Sequence, residues 1–149
     1  MALVGVVLGS KSDVGAMQPA LEVLERLGIE YEVNILSAHR NPEKVREYGL
    51  RAAEKGLELL IAAAGKAAHL PGVLAGWTAL PVIGVPLSSG ELKGLEALLS
   101  IVEMPTGVPV ACVGIGAAEN AGYLAAQILG LKHDKIREAY QSYRRELAR

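Results

Sequence analysis

The sequence predicts an α/β domain, a three-layer α/β/α sandwich around a five-stranded parallel sheet with one further helix at the C-terminus. Two observations carry this reading. Five short apolar, β-branched runs lack the polar alternation of a half-solvated strand, so both of their faces must be covered, and segments of helical periodicity lie between successive runs. Strands joined through helices make parallel sheets with right-handed crossovers, and five of them suggest the flavodoxin-like order 2-1-3-4-5. A chain of 149 residues fits one such domain, spanning 1–149, with no room for a second.

Leu3 to Leu8 reads as the first strand. The first helix is expected to start near Ser12, its cap, and to end before Gly28, because Val14, Met17, Leu21 and Leu24 recur at three and four residues. Tyr31 to Leu36 follows as the second strand. Asn41 as cap and Pro42 at the first helical position open the next helix, which carries Val45, Tyr48 and Ala52 on one face and stops at Gly56. Leu59 to Ala64 is the third strand, and the helix after it, roughly Leu70 to Ala79, is full of small residues. Pro81 to Val85 precedes a helix from Glu91 to Val102 that presents Leu92, Leu95, Leu99 and Val102; Pro109 to Ile115 precedes another after Gly116. From about Lys132 to Arg149, Ile136, Tyr140, Tyr143 and Leu147 mark a docking tail helix. Its basic face, Arg137, Arg144 and Arg145, is interrupted by Glu138 and Glu146, so it reads as a solvated or subunit-facing surface and not as a membrane patch.

Composition bounds the function. With 51% hydrophobic and 21% charged residues the chain is not disordered, and its longest apolar runs, around Ile61 and Val110, are broken by Gly, Pro or Lys well short of a membrane span. Met1 leads directly into a strand-like run without a basic region or cleavage site, which places the protein in the cytoplasm. The lone Cys112 cannot form an internal disulfide and reads as a buried strand residue, not a catalytic thiol. A net charge of −1 offers no field for nucleic acid. With no Phe and 17 Gly, the core must be built from Ala, Val and Leu by close backbone packing.

In an open parallel sheet, ligands bind beyond the carboxyl ends of the strands near the reversal of strand order. The loop after the first strand, Gly9-Ser10-Lys11-Ser12-Asp13, brings hydroxyls and backbone N–H groups to a helix N-terminus and suits a phosphate, although Ser12 is equally well explained as a helix cap. After the second strand, Ser37-Ala38-His39-Arg40 offers a guanidinium fork for anionic oxygens beside an imidazole able to move protons near neutral pH. After the third, Gly65-Lys66-Ala67-Ala68-His69-Leu70 has little bulk and would let a planar ring lie against the backbone; His69 alone would be structural, but beside the other loops it is as readily a substrate contact. His133 has no such company and is expected to be exposed. There is no dinucleotide fingerprint, Walker loop, nucleophile elbow or metal-ligand spacing, so the site suits proton transfer on a phosphorylated small molecule without a cofactor.

Gly9-Ser-Lys-Ser-Asp13, Ser37-Ala-His-Arg40, Ala67-Ala-His-Leu-Pro-Gly72 and Ser100-Ile-Val-Glu-Met-Pro105, followed by Leu124-Ala-Ala-Gln-Ile-Leu129, fall in one order over nearly the whole chain. In that order and spacing the chain resembles the 5-(carboxyamino)imidazole ribonucleotide mutases of de novo purine synthesis. The resemblance implies a homo-octamer with sites built from neighbouring subunits. It implies that Ser10, Ser12, Asp13, Ser37 and Arg40 hold the ribose and phosphate. His39 would carry protons at the imidazole, with Ala38, Gly65, Ala67, Ala68, His69 and Leu70 completing the substrate pocket. It further implies that the substrate releases its N-bound carboxyl as carbon dioxide, held by the enzyme until ring C4 attacks it.

Three departures from the family pattern stand out. Lys66 occupies a position where the family usually has a second glycine, and a cation there would crowd the pocket or attract the carboxylate. The segment Gly114 to Asn120 is about two residues shorter than the family's loop and lacks its lysine, and Thr106 replaces the commoner arginine or glycine. Related carboxylases, which use free carbon dioxide, carry a different sequence at Ala67-Ala-His69, though Lys66 keeps that class open. A non-catalytic phosphate- or nucleotide-binding module would use Arg40 and the serines but has no need of His39.

Overall fold

In the computed structural model, which describes residues 1–149, the five apolar runs form one parallel sheet in the order β2-β1-β3-β4-β5. The strands are β1 (Val4–Leu8), β2 (Tyr31–Ile35), β3 (Leu59–Gly65), β4 (Val82–Leu87) and β5 (Ala111–Cys112). The helices are α1 (Val14–Arg26), α2 (Pro42–Arg51), α3 (Leu70–Trp77), α4 (Leu95–Val102), α5 (Ala118–Leu129) and α6 (Asp134–Leu147), and a 3-10 turn, Lys11–Asp13, joins β1 to α1. No helix is long and apolar enough to cross a membrane.

Strand alternation divides the core into two layers. Val4, Val6 and Leu8 of β1, with Ile61 of β3 and Val85 of β4, pack on Met17, Leu21 and Leu24 of α1 and on α5. Val7, Leu60 and Ala62 face the other way, onto Val45 of α2, Leu74 of α3 and Ile101 of α4. Burying each such Leu, Ile or Val contributes about 1.5–3 kcal/mol, which is how a chain without Phe closes its core. Close approach does the rest: a Cβ at Gly122 would lie 2.8 Å from Val23 Cγ1, so the glycine lets α5 settle on α1.

Several boundaries differ from the sequence expectation. β5 is two residues long instead of Pro109 to Ile115. The carbonyls of Gly84 and Pro86 both accept from the β5 side, from Val113 and Gly116, so Pro86 presents its missing N–H to that side and the ladder cannot extend. α4 starts at Leu95 because Lys93 (φ 53°) and Gly94 (φ 95°) are left-handed, which leaves Glu91 and Leu92 in a turn. Asn41 caps α2 by position only, without a side-chain hydrogen bond.

Cys112 is half-buried, and burial raises its thiol pKa above the ordinary range, so it stays protonated. The tail docks as α6 on α5, where the Tyr143 ring stacks 4.3 Å from Tyr123 and Ile136 is buried. Leu147, however, is exposed. His133 is not the exposed residue expected: it is half-buried, with Nε2 2.8 Å from Glu58 Oε2, and Lys132 Nζ reaches Glu58 Oε1 at 2.6 Å. Together they fasten the start of the tail to the chain just before β3.

Candidate active site

Leu8 of β1 is in register with Ile35 of β2 on one side and Ala63 of β3 on the other. Neighbouring strands lie about 4.8 Å apart, so the loops leaving their carboxyl ends stand side by side. With the turn after β4 they enclose a cleft of about 410 Å³, a size suited to a small ligand.

The first loop contributes Ser10, Ser12 and Asp13; the second Ser37, Ala38, His39 and Arg40; the third Gly65, Lys66, Ala67, His69 and Leu70. Of the residues expected at a site, Ala68 is the one the structure turns away, fully buried beside Leu70 and Leu74 in the core. Ser89, after β4, lines the cleft although sequence reasoning passed it over. Its signal was present: Ser88-Ser89-Gly90 is another short polar loop at a strand's carboxyl end.

Ser10, not Ser12, is the cap in the first loop. Its Oγ accepts from the Ser12 backbone N–H at 3.3 Å, capping the 3-10 turn, and lies 3.0 Å from Ser12 Oγ. Asp13 stands at the start of α1 without a side-chain cap bond. Burial pushes its carboxyl pKa up, partly opposed by a hydrogen bond with the Ser10 backbone.

In the second loop, buried Ser37 orients the arginine. Its Oγ accepts from Arg40 backbone N at 3.1 Å and from Arg40 Nε at 3.3 Å, while Nη2 donates to Gly9 O at 3.3 Å. No carboxylate pairs with Arg40. A guanidinium charge held by one serine hydroxyl and one backbone carbonyl and left uncompensated is a receptor for an anion such as phosphate.

The second and third loops meet through their histidines. His39 Nε2 lies 2.7 Å from His69 Nδ1, with the ring planes at 89°. One nitrogen must donate and the other accept, so the contact positions a single shared proton. Two imidazoles linked this way can pass a proton to a bound ring and take one back. No cluster of three or more His, Cys, Asp or Glu is placed to hold a metal ion.

Residues 3–149 match the family model described as AIR carboxylase. The chain is 52% identical over 147 residues to the N5-carboxyaminoimidazole ribonucleotide mutase of Pyrococcus horikoshii, covering 99% of this chain and 83% of that one. To the protein of the same name from Thermotoga maritima it is 52% identical over 149 residues, covering 100% and 87%. The crystal structure of Treponema denticola PurE matches the fold with a TM-score of 0.88 at 31% identity, covering 99% of this chain and 92% of that one.

Proposed function

The chain belongs to the AIR carboxylase family, and from that premise and the geometry of the cleft we propose that it is a mutase of purine biosynthesis. It converts 5-carboxyaminoimidazole ribonucleotide into 4-carboxy-5-aminoimidazole ribonucleotide. The relatives named as mutases cover essentially the whole chain at about half identity, which disfavours the carboxylase alternative.

The observation that carries the mechanism is the His39–His69 contact at 2.7 Å, in a cleft also lined by Arg40, Ser10, Ser12 and Ser37. Arg40, Ser10 and Ser12 bind the phosphate, and Asp13 accepts from a ribose hydroxyl. Ser37 acts as a positioning residue for Arg40. When the carbamate N–C bond breaks, the electron pair stays on nitrogen, carbon dioxide departs, and the histidine pair supplies a proton to the nitrogen. Ring C4 then attacks the retained carbon dioxide, forming a C–C bond and leaving C4 with one hydrogen too many. His39 removes that proton and restores the aromatic ring. The proton lent to nitrogen is thus recovered from C4, and one shared proton is enough for the whole cycle.

The working assembly is a homo-octamer with the reaction in the cytoplasm. A stripe on and before α4, Leu92 at 61% exposure with Leu95 at 50%, Leu99 at 51% and Val102 at 48%, supports burial between subunits. A single protonated thiol suits a reducing compartment. The test is product formation from the carboxyamino ribonucleotide against aminoimidazole ribonucleotide plus bicarbonate. Faster turnover of the first supports the mutase, and preference for the second refutes it.

A further inference from the structure

We propose that Lys66 recognises the migrating carboxyl group, so that the cleft grips its nucleotide between two cations, Arg40 at the phosphate end and Lys66 at the carboxyl end. This assignment rests on the mutase reading of the same site.

Placement comes first. Arg40 leaves the sheet after β2 and Lys66 after β3, with β1 between them. Two strand spacings amount to about 10 Å, comparable with the span of a ribonucleotide from phosphate to base. The Lys66 stem runs to the far wall: its Cε lies 3.4 Å from where a Cβ on Gly90 would sit, in the turn after β4. The two histidines line the same cleft.

Charge and strain point the same way. Lys66 lines the cleft, is exposed to it, and forms no ion pair within the chain. The one carboxylate in the lining, Asp13, comes from the loop after β1, the strand next to β3, and does not pair with Lys66. Lys66 also adopts φ 50°, a left-handed conformation that glycine takes freely and lysine takes under strain. Non-glycine residues held in that region cluster at functional sites.

The chemistry selects a lysine. The carboxyl group starts on the exocyclic nitrogen and ends on C4, so its anionic oxygens move by a bond or two between substrate and product. A point charge with three rotatable donors on a flexible stem can follow both positions, whereas the fixed fork of arginine would favour one. Carbon dioxide, being neutral, is not held by this charge. Lys66 therefore acts on the affinity for the two carboxylated nucleotides and leaves aminoimidazole ribonucleotide, which lacks the group, untouched.

The experiment is calorimetric titration of the intact protein with 4-carboxy-5-aminoimidazole ribonucleotide and with aminoimidazole ribonucleotide. It compares wild type, Lys66→Gln and Lys66→Gly, the last also relieving the left-handed strain and so protecting the fold. Both variants are expected to bind the carboxylated nucleotide about tenfold more weakly and the other as wild type does, with KM for the carboxyamino substrate rising more than kcat falls. Equal losses for both nucleotides, or no loss, would overturn the assignment while leaving the mutase intact. A wild-type protein that binds neither would overturn the mutase reading and this assignment with it.

Discussion

Replacing the two cleft histidines singly and together measures whether they act as one device. His39→Asn removes the proton carrier, and loss of a positioned acid–base group costs about 10³ to 10⁴ in kcat. His69→Ala leaves His39 in place but without the partner 2.7 Å away that holds its ring and shares its proton; the expected loss is about 10². If the losses were independent, the double variant would fall by about 10⁵ to 10⁶. Because both residues serve one shared proton, it should fall no further than His39→Asn alone, a coupling of about 3 kcal/mol. The assay is initial rate at saturating carboxyamino ribonucleotide, with nucleotide binding measured alongside to show that Arg40 and the serines still hold the ligand. Multiplicative losses would refute the shared-proton reasoning and make His69 a separate contact.

Two further outcomes concern stability. An alanine at Gly84 would overlap Ile101 Cγ2 and press on Val110 Cγ1 at 3.1 Å and Pro71 Cβ at 3.3 Å. Overpacking of this kind costs about 1–3 kcal/mol, so thermal unfolding of Gly84→Ala should show Tm lowered by about 3 to 10 °C. Glu58 has its pKa lowered from the ordinary 4.5, chiefly by the hydrogen bond from Lys132 and secondarily by His133, against the opposing effect of desolvation. A depressed carboxylate contributes stability above its unfolded value and loses it as pH falls through the folded one. Glu58→Gln should therefore cost about 0.5–1 kcal/mol in urea unfolding near pH 7, with the difference from wild type shrinking as pH falls below the ordinary 4.5 and through the lowered folded value.

The sheet order and most helices were legible because unbroken apolar strands and helical periods state directly which faces are buried. Gly28, left-handed, ends the first helix where the sequence placed it, whereas α2 stops at Arg51, short of Gly56, which is left-handed at the end of the turn that follows. What failed did so through partners distant in the chain. The apolar run around Cys112 could not reveal that Pro86 faces it without an N–H, and His133 gave no hint of Glu58, 75 residues away. In the cleft, the three loops could be named from their residue types and position after strands. The contact between His39 and His69, 30 residues apart, could not, because it depends on both loops bending toward each other across β1. Ala68 looked like its neighbours in the motif, yet the backbone turn after Lys66 points it into the core.

On the proposed mechanism one site breaks the N–carboxyl bond and forms the C4–carboxyl bond without losing the carbon between them. The direct measurement is to supply substrate carrying ¹³C in its N-carboxyl group, in buffer with excess unlabelled bicarbonate, and to read the label in the product. The label is expected to be retained at the C4 carboxyl. Product carrying unlabelled carbon would contradict the mechanism, since the carboxyl group would then have come from solution.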